Sequence, residues 1–300
     1  RVLGRQLRGA RHLHPGARAD LRGHVLQRCQ LAVRIPLLIV LGLVVAPVAA
    51  QAATPSCLKC HPVHYGSLGN CATCHGGDPR SDRPRIAHHD LVPGRFAWFT
   101  VPGSAPTRRG RDLVEQFACR RCHVVAGKGN RLAAGLDRLP AGTTGQAIFE
   151  AIGNPALLMP QFHFDKRQKT DLVNAVLAGA REETAKGGRG KGESPQVVHF
   201  QDGDTRRDNV FEKRCGACHR ALTSTFGGVG HGAIGPNLSG LLTEFYPKTA
   251  EGGTPWSQAA LKKWLGNPRQ SRAQTQMRPV SLPDGEREKL VGILTDRKGR

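Results

Sequence analysis

Four copies of one short pattern, Cys-x-x-Cys-His, constrain this chain more than any other feature. They begin at Cys57, Cys71, Cys119 and Cys215 and use eight of the nine cysteines. Two thiols at this spacing can form thioethers with the two vinyl groups of one haem, and the imidazole that follows can bind its iron. Zinc ribbons and disulfides are the alternatives for paired cysteines, but neither explains a histidine after every second cysteine. The pattern therefore predicts four covalently attached haem c groups.

Each predicted site combines two cofactor-binding cysteines with one proximal histidine. The cysteines are Cys57 and Cys60, Cys71 and Cys74, Cys119 and Cys122, and Cys215 and Cys218, and the proximal histidines are His61, His75, His123 and His219. Only 39% of the residues are hydrophobic and 5% are aromatic, which is little for a conventional core. We therefore expect the haems to supply part of the interior, as metals and disulfides do in other small domains.

Residues 1–52 are expected to be an export signal. Residues 1–34 are basic and lack apolar periodicity, so part of them would lie upstream of the true translation start. Residues 35–52 contain an apolar run that ends in small residues, which predicts a secretory signal cut after Ala52. A membrane anchor is the alternative, but the run is short for a bilayer span and contains Pro36 and Pro47. We expect a periplasmic protein without a membrane span in the mature chain, alone or joined to an outer-membrane electron conduit.

The charge of the chain suggests a class of partner. A net charge of +21 would by itself indicate nucleic acid or an anionic surface. Residues 1–52 hold eight of the 44 basic residues and one of the 23 acidic residues, so the rest carries 36 against 22, or +14. Together with the export signal, this count disfavours nucleic acid. It favours an acidic docking face on another redox protein.

The third and fourth motifs lie in two copies of one module, offset by 96 residues. The predicted elements are short amphipathic helices over 146–155 and 259–268, which both end in Gly-Asn-Pro, and last helices over 165–180 and 284–297. Between the two helices of each copy lies one of the only two methionines in the chain, Met159 or Met277. The repeated order predicts two domains of the same fold.

Helix, Cys-x-x-Cys-His, loop, helix, methionine and final helix resembles the class I cytochrome c fold, in which a Met sulfur is the distal ligand. The resemblance implies that Met159 lies opposite the third proximal histidine and Met277 opposite the fourth. His163 and His231 are the rival ligands in the two copies. In the second copy, the sequence Gly-Pro-Asn-Leu over 235–238 resembles the family's segment whose proline carbonyl accepts the proximal ring N–H. The first copy has no proline there.

The first two motifs lie in a segment without methionine, so histidines are expected as their distal ligands. His64 is only three residues from His61, and it is better placed to serve the haem held by His75. The first haem would take His88 or His89, and we favour His89. This compact pair resembles the bis-histidine modules in multihaem cytochromes of dissimilatory metal-reducing bacteria.

The resemblance to multihaem c-type cytochromes covers essentially all of residues 53–300. It implies a mainly α fold with short helices, haem-wrapping loops and little or no sheet. The expected organisation is a basic extension over 1–34, a signal over 35–52, a dihaem module over 53–104, cytochrome c-like domains over 105–184 and 205–300, and a flexible basic linker over 185–204. The linker would let the last domain swing as a donor or acceptor, or would be a plain spacer.

The function implied is electron transfer between redox partners in an anaerobic respiratory chain, rather than catalysis. Methionine ligation raises the reduction potential relative to two imidazoles, so electrons would run from the dihaem module to the C-terminal domains. Other cytochromes or quinol-linked membrane complexes would be the partners. The layout is similar to cytochromes associated with selenite or tellurite reduction or with extracellular electron transfer. The alternative function is a haem-based reductase of nitrite, selenite or tellurite, with one open iron.

Overall fold

The computed structural model describes residues 55–156, 158–187 and 209–295. The predicted extension and signal over 1–52 and most of the predicted linker lie outside these residues. The described part is mainly helical and contains one small two-stranded sheet. Within it, no helix is both long enough and apolar enough to span a bilayer.

The N-terminal segment consists of short helices joined by turns. Its α-helices are α1 (Cys71–His75) and α2 (Pro84–Ala87), and its 3-10 helices cover Ser56–Lys59, Gly66–Leu68 and Gly94–Thr100. Asn70 caps α1, because its side-chain oxygen accepts the N–H of Thr73 at 3.0 Å. The segment contributes few residues to the buried core.

The first C-terminal module is built around two crossing helices, α3 (Ala105–Gln116) and α5 (Lys166–Ala185), with α4 (Gly145–Gly153) beside them. Gly110 permits the crossing, because a Cβ there would collide with the carbonyl oxygen of Asp171. Arg109 donates from Nε and Nη2 to the Asp171 carboxylate, at 2.7 and 2.9 Å. This two-pronged ion pair fixes the register of the two helices.

The 3-10 helix Gly94–Thr100 packs into the first module, although the sequence placed it in the dihaem module. Phe96 is fully buried in a cluster with Ile148, Val173 and Val176. Asn174, also fully buried, accepts the N–H of Phe99 at 2.9 Å and donates to the carbonyl of Arg95 at 2.9 Å. A buried amide with satisfied partners therefore joins the dihaem segment to α5.

The second module contains α6 (Val210–Arg214), β1 (Ala221–Thr223), β2 (Gly227–Val229), α7 (Gln258–Gly266), α8 (Pro268–Ser271) and α9 (Asp284–Leu294). Strands β1 and β2 pair antiparallel, with Ala221 opposite Val229. The largest buried cluster of the described residues belongs to this module and is centred on Phe211 and Leu290.

Helices of corresponding position occur in the two modules. Helices α4 and α7 each have nine residues and end at the glycine of Gly-Asn-Pro. The last helices are α5, which ends five residues later than expected, and α9, which ends at Leu294 rather than at 297. In the first module Val125 bridges Lys128, whereas in the second the corresponding turn is lengthened into the β1–β2 hairpin. The second module also has a longer chain segment between its Cys-x-x-Cys-His motif and α7 than the first module has before α4.

Candidate haem sites

All four motifs fold into a tight turn that brings the first cysteine and the histidine together. The histidine N–H donates to the carbonyl of the first cysteine in three of them, at 3.0 Å for Cys57, 3.0 Å for Cys119 and 2.9 Å for Cys215. The motif that begins at Cys71 is helix α1 itself. All eight motif cysteines are free thiols. Each turn thus presents two thiols and one imidazole from five consecutive residues.

Three of the four proximal imidazoles are oriented by a backbone carbonyl. The Nδ1 atoms of His75, His123 and His219 lie 3.1, 2.8 and 2.9 Å from the carbonyl oxygens of Val92, Ala134 and Pro236. A carbonyl can only accept, so Nδ1 carries the proton and Nε2 keeps its lone pair. This is the arrangement by which proteins orient a metal-binding histidine.

The proline carbonyl that the sequence singled out does hold the proximal ring of the second module. Gly235 lets the loop approach, because a Cβ there would collide with the imidazole of His219. In the first module Ala134 takes the same part without a proline. The sequence did not predict the roles of Ala134 and Val92, because every residue has a backbone carbonyl and residue type does not show which one accepts a hydrogen bond.

His64 and His75 meet in the lining of a cavity in the N-terminal segment. Their Nε2 atoms are 3.4 Å apart, and the rings are nearly perpendicular with centroids 5.6 Å apart. The cavity has a volume of about 520 Å³, and its lining includes Cys71, Cys74 and Trp98. The structure therefore brings together the pair of histidines and the pair of cysteines that the sequence assigned to the second haem.

The first motif is accompanied by His88 rather than by His89, which the sequence analysis favoured. The rings of His61 and His88 have centroids 6.1 Å apart and are tilted by 55°. His89 points elsewhere, and its Nδ1 lies 3.1 Å from a carboxylate oxygen of Asp90. The reason is local, because α2 ends at Ala87 and His88 caps it, so the two adjacent histidines leave the turn in different directions.

The methionine of the second module lies in the same core as its haem motif. Met277 packs against the cluster that contains Cys215, and Trp264 Nε1 donates to its sulfur at 2.9 Å. In the first module, Met159 is half-buried. Phe162 and Phe164, which follow it, pack on Phe117 just before the third motif, with centroids 5.6 and 4.7 Å away. Both methionine loops therefore pack near the motif of their own module.

The two rival histidines occupy different positions. His163 is exposed and has a positive φ of 52°. His231 is also exposed, and its backbone N–H donates to the carbonyl of Gly216, inside the fourth motif. This contact places His231 in the loop whose Gly235 lies against the ring of His219.

Burial affects several of the motif side chains. It raises the pKa of the Cys119 and Cys215 thiols to about 11 in each case, and it raises the pKa of Cys122. Burial also lowers the pKa of His123. The ring of His123 is consequently neutral at pH 7, the form in which histidine binds a metal.

Comparison with protein-family models, with curated proteins and with solved structures gives no match. Within the described ranges, no group of three or more His, Cys, Asp or Glu side chains is arranged to hold a bare metal ion. The interpretation of the sites therefore depends on the motifs and on the geometry around them.

Proposed function

We propose that this chain is an exported tetrahaem c-type cytochrome that passes electrons between redox partners in a respiratory chain. The observation that carries the proposal is the opposed pair His64 and His75, in a cavity that Cys71 and Cys74 also line. Two imidazole nitrogens directed at one point, beside two thiols at thioether spacing, are the ligand set of a bis-histidine haem c. A cavity of about 520 Å³ is also within the usual range for a cofactor site.

The apolar surface of the N-terminal segment supports the same proposal. Val63, Tyr65, Leu68, Ile86 and Leu91 have exposed fractions between 41% and 66%, and all lie between the first motif and the 3-10 helix Gly94–Thr100. So many large exposed side chains in about forty residues indicate a surface that something apolar covers. Two haem plates would cover it and complete the core of this segment.

Among the described residues of the second module, one large apolar side chain is exposed in the same way. Ile234 is 86% exposed and directly precedes Gly235, which touches the proximal imidazole of His219. A haem bound at His219 would give this side chain an apolar surface to pack against. The residues present thus fit the proposed group at both ends of the chain.

Bound haem iron supplies reversible one-electron exchange, and the protein residues position and tune it. The carbonyls of Val92, Ala134 and Pro236 hold three imidazoles with Nε2 available. Trp264 donates to the Met277 sulfur, which fixes the orientation of the thioether and changes its donor strength. No proton transfer is required of any of these groups.

The order of the sites along the chain suggests a direction for the electrons. Bis-histidine sites in the N-terminal segment would have lower potentials than methionine-ligated sites in the two modules. Electrons would therefore enter near residues 53–104 and leave from the C-terminal modules. The excess of basic residues favours an acidic partner and fast, salt-sensitive association. A periplasmic location would follow from the predicted signal.

One observation keeps oxyanion reduction as a second function. His61 is the proximal histidine for which no ring hydrogen bond to a carbonyl occurs among the described residues, and both it and His88 are exposed. If one iron has an open coordination position, it would therefore be the iron of the first site. It would be the place for nitrite, selenite or tellurite to bind.

The test is to purify the exported protein, count covalent haem against protein, and record spectra of the oxidised and reduced forms. We expect four haems, a near-infrared methionine-to-iron band from half of them, and no high-spin signal. His64→Ala should make one haem high-spin, whereas the control His163→Ala, which changes an exposed histidine, should not. Fewer than four haems would refute the proposal. A high-spin haem that binds nitrite in the unmodified protein would favour the reductase.

A further inference from the structure

A short segment of the second module, residues 237–246, touches the third haem motif. We call it the docking segment. Arg121, between the two cysteines of that motif, donates from Nη1 to the carbonyl of Asn237 at 3.3 Å and lies over the ring of Tyr246, 5.8 Å from its centroid. Asn130 donates from Nδ2 to the hydroxyl of Thr243 at 2.9 Å. The two modules are therefore joined by specific polar contacts.

Asn237 occupies the central position in these contacts. It directly follows the proline carbonyl that orients the proximal histidine of the second module. Its Nδ2 also donates to the carbonyl of Leu158 at 3.4 Å, and Leu158 directly precedes Met159. The docking segment thus makes these connections through Asn237 alone. This residue adjoins the carbonyl that holds the proximal ring of the fourth site, and it contacts both the motif and the methionine loop of the third site.

The docking segment fits closely against the first module. Gly240 has a positive φ of 70°, and a Cβ there would lie 2.7 Å from the Arg121 carbonyl oxygen and 2.7 Å from Asn130 Nδ2. Ser239 is 1% exposed; its hydroxyl donates to Asn237 Oδ1 at 2.6 Å and accepts the N–H of Leu222 at 2.7 Å. Such close packing around buried polar groups is typical of a fixed interface rather than of a passing encounter.

We propose that the docking segment holds the third and fourth haem sites as one fixed electron-transfer pair, an inference that rests on the proposed function. One electron moves between the two sites, so that one is oxidised as the other is reduced, and no bond is formed or broken. The path runs from Arg121 in the third motif, through the carbonyl of Asn237, to the adjacent Pro236 carbonyl that holds His219. The second module then does not swing on its linker.

Two glycine substitutions in the full-length holoprotein separate the interface from local backbone strain. Gly240→Ala adds a methyl group against the first module. Gly252 also has a positive φ, 68°, but a methyl group added there would meet no atom within 4 Å. We expect Gly240→Ala to speed amide hydrogen exchange in 237–246 and in 119–130 by at least about tenfold. Gly252→Ala should leave both regions unchanged. Equal effects of the two substitutions would overturn the proposal.

If Gly240→Ala unfolds its own module, Thr243→Val tests whether the interface is fixed. It keeps the shape of the side chain and removes the hydroxyl that Asn130 binds, so exchange in 119–130 should rise by roughly two- to tenfold. No change in 119–130 would overturn the proposal. Electron transfer is followed in the same proteins after a laser flash. The fast intramolecular phase should be lost in Gly240→Ala and retained in Gly252→Ala.

The haem count of each variant distinguishes a failure of the fixed pair from a failure of the proposed cytochrome. Four haems with a freely exchanging interface would refute the fixed pair and leave the cytochrome intact. Fewer than four haems in the unmodified protein would refute the cytochrome itself.

Discussion

Asn174→Ala should disconnect the dihaem segment from the first module. The side chain is fully buried, and its loss leaves the N–H of Phe99 and the carbonyl of Arg95 without their partners. Phe99 is half-buried and Arg95 is exposed, so each lost hydrogen bond should cost about 0.5–1.5 kcal/mol and the variant about 1–3 kcal/mol of stability. For a domain of roughly 100 residues, this corresponds to a fall in Tm of at least about 4 °C, measurable by circular dichroism.

The same substitution should be visible at a distant haem. Only Pro93 separates residues 94–100 from Val92, whose carbonyl holds the ring of His75, so their release should loosen that ring. We expect a change in the spectrum of one bis-histidine haem. The control is Asn154→Ala, which changes an exposed asparagine at the end of α4. Unchanged stability and an unchanged spectrum in Asn174→Ala would refute the reasoning.

Three further substitutions test separate sites. His88→Ala should give one high-spin haem that binds cyanide, whereas His89→Ala should leave the absorption spectrum unchanged; the opposite result would restore His89 as the ligand. Gly235→Ala places a methyl group on the proximal ring of the second module and should lower its haem content, whereas Gly266→Ala, which meets no atom within 4 Å, should bind haem normally. Asp171→Asn should lower the free energy of unfolding by about 1 kcal/mol in a urea titration, because it weakens the charge-assisted hydrogen bonds between the buried Asp171 and the half-exposed Arg109. A change below about 0.5 kcal/mol would mean that the pair is not formed.

Many of the helices could be predicted because their positions depend on local sequence patterns. The glycine that ends both α4 and α7, and the equal lengths of these helices, follow from Gly-Asn-Pro, a local stop signal. The five extra residues of α5 were not predicted, because Arg181 and Glu182 on its exposed end carry no apolar period. Helix length there depends on propensity rather than on burial.

The sites were predictable as far as residue type carries the information. The pair His64 and His75 followed from counting imidazoles and from reach along the chain. The choice between His88 and His89 did not, because it depends on where α2 ends and on how the chain leaves it. The docking segment could not be predicted for another reason. Its contacts join residues about 80 to 120 positions apart, and contacts between such distant residues produce no periodic pattern in the sequence.

The three carbonyls that orient proximal histidines all lie later in the chain than the rings they hold. Val92 follows its histidine by 17 residues, Ala134 by 11 and Pro236 by 17. In a chain that crosses a membrane with its N-terminus first, each pair of thiols emerges before the residue that locks its imidazole. If the chain is exported and carries haem as proposed, the attachment machinery would meet each of these three motifs while it is still open, and each site would close only after its group is attached. Maturation and folding would proceed together, one motif at a time, from the N-terminus to the C-terminus.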